Sequence, residues 1–190
     1  MRQFKAIVLT SLIIALLSGC GNQSSIEQNE YEKALLGKWA YAHDLDKTEA
    51  EFKESGAATF EGKKYTYSSD GTYIHFADSS QDERKLRYVQ NEDKMYVYIQ
   101  STYTKDIPEY GEGIVGVWTC KEKNWTYEFT DKGTFMEDGA LTGYYTVDEE
   151  AGTVKLMYEE ALEDTVFYYQ LEGDSLKIEY PWLMQRQSNG

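Results

Sequence analysis

The sequence predicts an all-β protein: two tandem small antiparallel barrel or meander domains behind an N-terminal signal helix. Three observations carry this. The chain holds 17 tyrosines and only two prolines, and aromatic side chains suit pleated surfaces whereas proline interrupts their ladders. Apolar residues alternate with period two, as Met95, Val97 and Ile99 do against Tyr96, Tyr98 and Gln100, which marks a half-buried strand. Finally, a set of features in the first half recurs in order in the second.

The N-terminus sets the first boundary. Arg2 and Lys5 precede an apolar run, Ala6 to Leu17, that ends at Leu17-Ser18-Gly19-Cys20. A bilayer core needs roughly 20 apolar residues, so this run is too short to span one and has the layout of a secretory signal. The Leu-Ser-Gly-Cys phrase resembles the lipobox of bacterial lipoproteins. That resemblance implies cleavage after residue 19, a diacylglycerol on the Cys20 sulfur and a protein held to the extracytoplasmic face of the cell membrane. Multiple acyl chains make such an anchor stable, at about 0.8 kcal/mol per buried methylene. With Cys20 lipidated, Cys120 has no disulfide partner and reads as a small core residue.

Residues 20–35 form a polar tether with a short helix through YEKALL, for which Ser25 and Gln28 offer a cap and Gly37 a stop. The repeat starts at 36. Leu36-Gly37-Lys38-Trp39 returns as Val115-Gly116-Val117-Trp118, and Phe52 with Gly56 returns as Phe129 with Gly133. YTY at 65–67 returns as YTV at 145–147, and the turn at Gly71 as the turn at Gly152. KLRYVQ-NED-KMYVYI from Lys85 then matches VFYYQL-EGD-SLKIEY from Val166, an offset of 81 residues. The short turns at Asn91-Glu92-Asp93 and Glu172-Gly173-Asp174 fit antiparallel hairpins. Repeat one therefore covers 36–105 and repeat two 114–187, with 106–113 (DIPEYGEG) as linker. Whether the repeats form two separate barrels or one merged sheet is open at this level.

The apolar-Gly-x-Trp phrase after a helical turn resembles the opening motif of lipocalins, and the two copies resemble short lipocalin-like repeats of Gram-positive lipoproteins. The resemblance implies that Trp39 and Trp118 plug the closed ends of their units, with Gly37 and Gly116 allowing close backbone approach. It brings no activity with it.

Charge narrows the partners. With 19 basic and 33 acidic residues, the chain carries a net charge of −14, which disfavours nucleic acid and leaves membrane attachment to the lipid. No nucleophile elbow, zinc helix or phosphate loop is present. His43 and His75 are the sole histidines, too few at unrelated places for a metal site, so no metal, cofactor or catalytic residue is assigned and no enzymatic activity is expected. On the closing strand of repeat one, Tyr96 and Tyr98 stand opposite Met95 and Val97, where repeat two has Lys177 and Glu179. Tyrosine pairs a flat apolar body with a hydroxyl and suits ligand or protein contacts. Tyr96 and Tyr98 are thus the candidate binding surface of a non-catalytic module for a small ligand, a glycan or an envelope protein. The alternative is a structural or inhibitory docking protein of the envelope with no small ligand. A hydrolase would require a cleft among acids such as Glu128, Glu137 and Glu159.

Overall fold

The computed structural model describes residues 29–80, 82–108, 111–159 and 162–188. The signal segment, Cys20 and the Ser25–Gln28 cap lie outside them. The chain enters through α1 (Glu30–Leu35). Its cap is Asn29: the Asn29 side chain accepts from the Glu32 backbone at 2.9 Å, and the Glu32 carboxylate accepts from the Asn29 backbone at 3.1 Å. This reciprocal pair satisfies two of the orphan amides of the first turn, so the helix starts with a box four residues beyond the Ser25–Gln28 one read from the sequence.

Seven strands follow: β1 (Gly37–Tyr41), β2 (Ala50–Phe52), β3 (Ala57–Phe60), β4 (Lys63–Ser69), β5 (Tyr73–Ala77), β6 (Glu83–Asn91) and β7 (Lys94–Lys105). Seven more run from β8 (Gly116–Cys120) through β9 (Trp125–Phe129), β10 (Thr134–Glu137), β11 (Leu141–Asp148), β12 (Thr153–Tyr158) and β13 (Thr165–Glu172) to β14 (Ser175–Arg186). The all-β, antiparallel expectation holds. Each strand pairs with its chain neighbours, and β1 closes the ring on β14.

One pairing changes the architecture. β7 and β14 also pair with each other, from Thr104 opposite Ser175 to Lys94 opposite Gln185. This ladder bridges the ring of fourteen strands, so all of them belong to one merged sheet that bends around two cores. In the first lobe Trp39, Phe52, Phe60, Phe76, Met95 and Val97 pack with Met184. In the second, Trp118, Phe129, Leu156, Phe167, Leu176 and Ile178 pack with Tyr103. Met184 comes from β14 and Tyr103 from β7, so each lobe is completed by the end of the other half's last strand.

Side-chain alternation makes this sharing work. The odd residues of β7 all point the same way: Met95 and Val97 fill the first lobe, then Ser101, Tyr103 and Lys105 turn to the second. The even residues of β14 do the same in reverse, Leu176 and Ile178 before Met184. One strand face thus serves two cores, one at each end of the β7–β14 ladder.

The two tryptophans occupy matching places. Trp39 and Trp118 are both fully buried. Each indole N–H donates to the carbonyl four residues earlier, Leu35 and Ile114, at 2.8 Å in both cases. The Arg186 guanidinium lies 4.3 Å over the Trp39 ring, and the Lys105 ammonium 5.4 Å over Trp118. Both cations come from the far ends of β14 and β7. Gly37 has φ +112°, and a Cβ there would come within 3.3 Å of the Arg186 guanidinium, so glycine lets the arginine seat on the ring.

One detail of the repeat shifts. The Tyr88 amide bonds the Thr72 carbonyl, and the Tyr169 amide bonds the Gly152 carbonyl. Thr72, and not Gly71, is therefore the structural counterpart of Gly152, because the turn before β5 is built one residue differently.

Candidate functional site

The ends of the two lobes away from Trp39 and Trp118 meet near the middle of the β7–β14 ladder. Each opens into a cleft, and the two clefts share Trp182. Trp182 touches the rings of Tyr41 and His43 on the first lobe's side and of Trp125 and Tyr180 on the second's, with centroids 5.9–6.2 Å apart. Its place on β14 explains this position. It sits two residues before Met184 and four after Ile178 on the inward face, at the point where the strand leaves one core for the other.

The second lobe's cleft measures about 300 Å³ and is lined by Tyr103, Trp125, Tyr180 and Trp182 together with Tyr127 and Glu137. The Tyr127 hydroxyl donates to Glu137 Oε1 at 2.8 Å and the Tyr158 hydroxyl to Oε2 at 2.7 Å. Burial, with the Glu137 charge beside them, pushes both hydroxyls well above the usual tyrosine value, so they stay protonated donors. Each carboxylate oxygen has a second lone pair, so Glu137 retains accepting capacity once both tyrosines are bound. Beside it, the Asp138 carboxylate accepts from the Thr126 backbone at 2.6 Å. At the rim, the Lys123 ammonium lies 4.5 Å over Trp125 and donates to the Ser101 hydroxyl at 3.0 Å.

The first lobe is built differently at the same place. Glu137 faces Tyr127 across the β9–β10 ladder, where Phe60 faces Ala50 across β2–β3. Phe60 is 1% exposed and Ala50 fully buried, so an apolar ring fills the space that in lobe two is occupied by a carboxylate and its tyrosines. The first lobe's cleft, about 310 Å³, lies among Tyr41, His43, Glu49, Glu61 and Trp182.

The residues singled out from the sequence fall in several places. Gly37, Trp39, Gly116 and Trp118 lie at the ends remote from the clefts. Tyr96 and Tyr98 point outward from β7, away from both cores. Tyr98 packs its ring against Tyr168 of β13 at 5.3 Å, while Tyr96 is 40% exposed beside Val89; neither lines the aromatic clefts. Cys120 is a free thiol buried in the second core. His75 bonds Asp70 at the surface at 3.2 Å. Of the three acids weighed together, only Glu137 enters the cleft. Glu128 sits between buried Tyr127 and Phe129 and so faces the other side of β9, and exposed Glu159 accepts from Thr142 at 2.9 Å.

Trp125, Trp182, Tyr180 and Tyr127 went unrecognised in the sequence as cleft residues, as did Tyr158 behind Glu137. A signal existed for one of them: the 81-residue offset pairs Trp182 with Ser101, a change from small to large on an inward face. Among the described residues no group of three or more histidine, cysteine or acidic side chains is arranged to hold a metal ion, and no helix is long and apolar enough to cross a membrane. No protein-family profile, no curated protein and no solved structure matches the chain.

Proposed function

We propose that the protein is a lipid-anchored extracytoplasmic lipoprotein, built from two lipocalin-like units, that binds a small ligand in the second lobe without chemistry of its own. One observation carries the binding reading: a carboxylate held by two tyrosine hydroxyls in the lining of an aromatic-walled cleft, at a place where the other lobe is packed with phenylalanine. A mostly apolar concavity with a few fixed polar groups is the usual form of a small-ligand site. Trp125 and Trp182 line this cleft while Trp39 and Trp118 are buried, so tryptophan fluorescence reports its occupancy. A ligand screen read by that signal should return compounds whose effect disappears in Trp182→Ala. Hits that shift the fluorescence equally in wild type and Trp182→Ala would place binding elsewhere and overturn this reading.

The anchor is tested separately. Expressed in a bacterial host, the wild type should partition with membranes and the Cys20→Ser variant should not; equal membrane recovery would remove the lipoprotein reading.

A second reading, docking on an envelope protein, draws on the outer face of β6 and β7. Val89 and Tyr96 are cross-strand partners and are 53% and 40% exposed. Crosslinking from position 96 in the native envelope, with position 64 on β4 as control, distinguishes it: a specific adduct at 96 alone supports docking.

A further inference from the structure

Resting on the cleft reading above, the geometry points to a ligand with an organic ammonium group, seated against Glu137 and flanked by the rings of Tyr180 and Trp182. The chemistry of the walls selects the charge. Glu137 and Asp138 are the ionisable acids of the cleft, and no lysine or arginine lines it. Both acids are fixed in place, Glu137 by the Tyr127 and Tyr158 hydroxyls and Asp138 by the Thr126 amide. An anionic group entering here meets two carboxylates, while the cation near them, Lys123 at the rim, is already engaged by Ser101 and the Trp125 ring.

A neutral ligand meets few reasons to prefer this pocket. The Tyr127 and Tyr158 hydroxyls are committed to Glu137. What the cleft presents is carboxylate oxygen together with aromatic rings, the two surfaces to which an ammonium is attracted. The chain itself shows the preference at the rim, where the Lys123 ammonium lies over Trp125. The contrast with the first lobe adds to this. Swapping the Phe60–Ala50 pair for Glu137–Tyr127 places a charge in the wall of a core, which costs desolvation unless the charge is paired or hydrogen-bonded. Two tyrosines meet part of that cost, and a bound cation completes it.

The inference is tested with two isosteric probes, phenethylammonium and 2-phenylethanol, titrated into the full chain with fluorescence and calorimetry as readouts. The amine should bind about tenfold more tightly or better, a gap of about 1.4 kcal/mol. The gap should narrow as salt rises and collapse in Glu137→Gln, whose side chain keeps the shape and loses the charge. If the alcohol binds as well as the amine, the cleft reading stands and the cation inference falls. If the gap survives in Glu137→Gln, the ammonium sits elsewhere and the inference again falls. If neither probe binds at up to about 10 mM, weaker than any useful recognition, the cation inference is overturned, while the ligand screen with Trp182→Ala still decides the cleft reading. Should Glu137→Gln fail to fold, the ratio between the two probes and its salt dependence in the wild type decide alone.

Discussion

Ile99 and Tyr180 are Cα partners in the middle of the β7–β14 ladder, and they are also separated by the 81 residues that relate the two halves of the sequence. A residue paired with its own counterpart marks a local two-fold axis. Around it the long strands run past each other, and each carries its far end into the other lobe. The same relation pairs Met95 with Met184, counterpart of Tyr103, and sets Lys105 and Arg186 over the two buried tryptophans.

The first consequence concerns independence of the halves. A chain of residues 31–107 lacks Met184 in its core, Trp182 at its mouth and the whole partner of β7. Small units bury too little surface to tolerate such losses. Its denaturation midpoint in urea should lie well below that of 31–187, with a shallower transition. Equal midpoints would show that the shared ladder contributes nothing to the first lobe.

Arg186 makes the stronger of the two ring caps. Its guanidinium lies on Trp39, donates to the Leu36 carbonyl and to Ala34 at 2.7 Å, and pairs with Asp93 at 3.0 Å. Lys105 offers one such bond, to Gly111 at 3.0 Å, and a longer ring contact. Arg186→Ala should destabilise by about 2–3 kcal/mol and Lys105→Ala by about 1–2, from lost charge-assisted hydrogen bonds and cation–π contact. Chemical denaturation of both variants checks the order; a larger effect at Lys105 would contradict it.

Gly143 is the tightest position in the second lobe. A Cβ there would sit on the Met157 carbonyl oxygen and within 2.8 Å of the Phe135 ring. Backbone cannot yield as a flexible side chain does, so Gly143→Ala should cost about 2–3 kcal/mol through overpacking. The neighbouring Thr142→Ala, on the exposed face, should cost far less, and thermal melts of the two compare them directly.

Tyrosine burial dictates the alkaline limb of stability. Tyr103, Tyr127 and Tyr158 are all raised above the ordinary value of 10.0, chiefly by burial. Above pH 10 the unfolded chain releases these protons while the folded one keeps them. The unfolded state then binds fewer protons, so stability falls as pH rises. Their contribution is complete below pH 10 and is lost progressively above it. Urea midpoints between pH 8 and 11 should fall in that window, and less steeply in Tyr127→Phe.

On the acid side Asp70 acts in the opposite sense. Amides of Tyr73 and Thr72, and then His75, hold its carboxyl down at about 2 from an ordinary 3.8. The folded form therefore gains from its charge above pH 3.8 and loses that gain as pH falls toward 2. Asp70→Asn should flatten this part of the profile, read as thermal midpoints from pH 6 to 2.

The strands were legible because alternation is a local property. Met95, Val97 and Ile99 against Tyr96, Tyr98 and Gln100 announce a half-buried strand with no knowledge of its partners, and Leu176 and Ile178 do the same. Alternation does not say which core a strand face serves. Ser101 and Lys105 are polar, yet both are buried at 8% exposure, because the strand's second half faces a different lobe. The aromatic cleft was illegible for a related reason: Trp125, Glu137, Tyr158 and Trp182 come from four strands whose pairing is set far from each of them.

The sequence by itself determined the strand periodicity, the order of the repeated features, and the acidic balance that disfavours nucleic acid. All of these follow from side-chain chemistry and spacing along the chain. Only the tertiary structure decided that the halves share one sheet, that Arg186 and Lys105 cap each other's lobes, and that Glu137 and Trp182 line one cleft. Those facts depend on the β7–β14 register, and register is a choice between distant segments made by the summed burial of both cores.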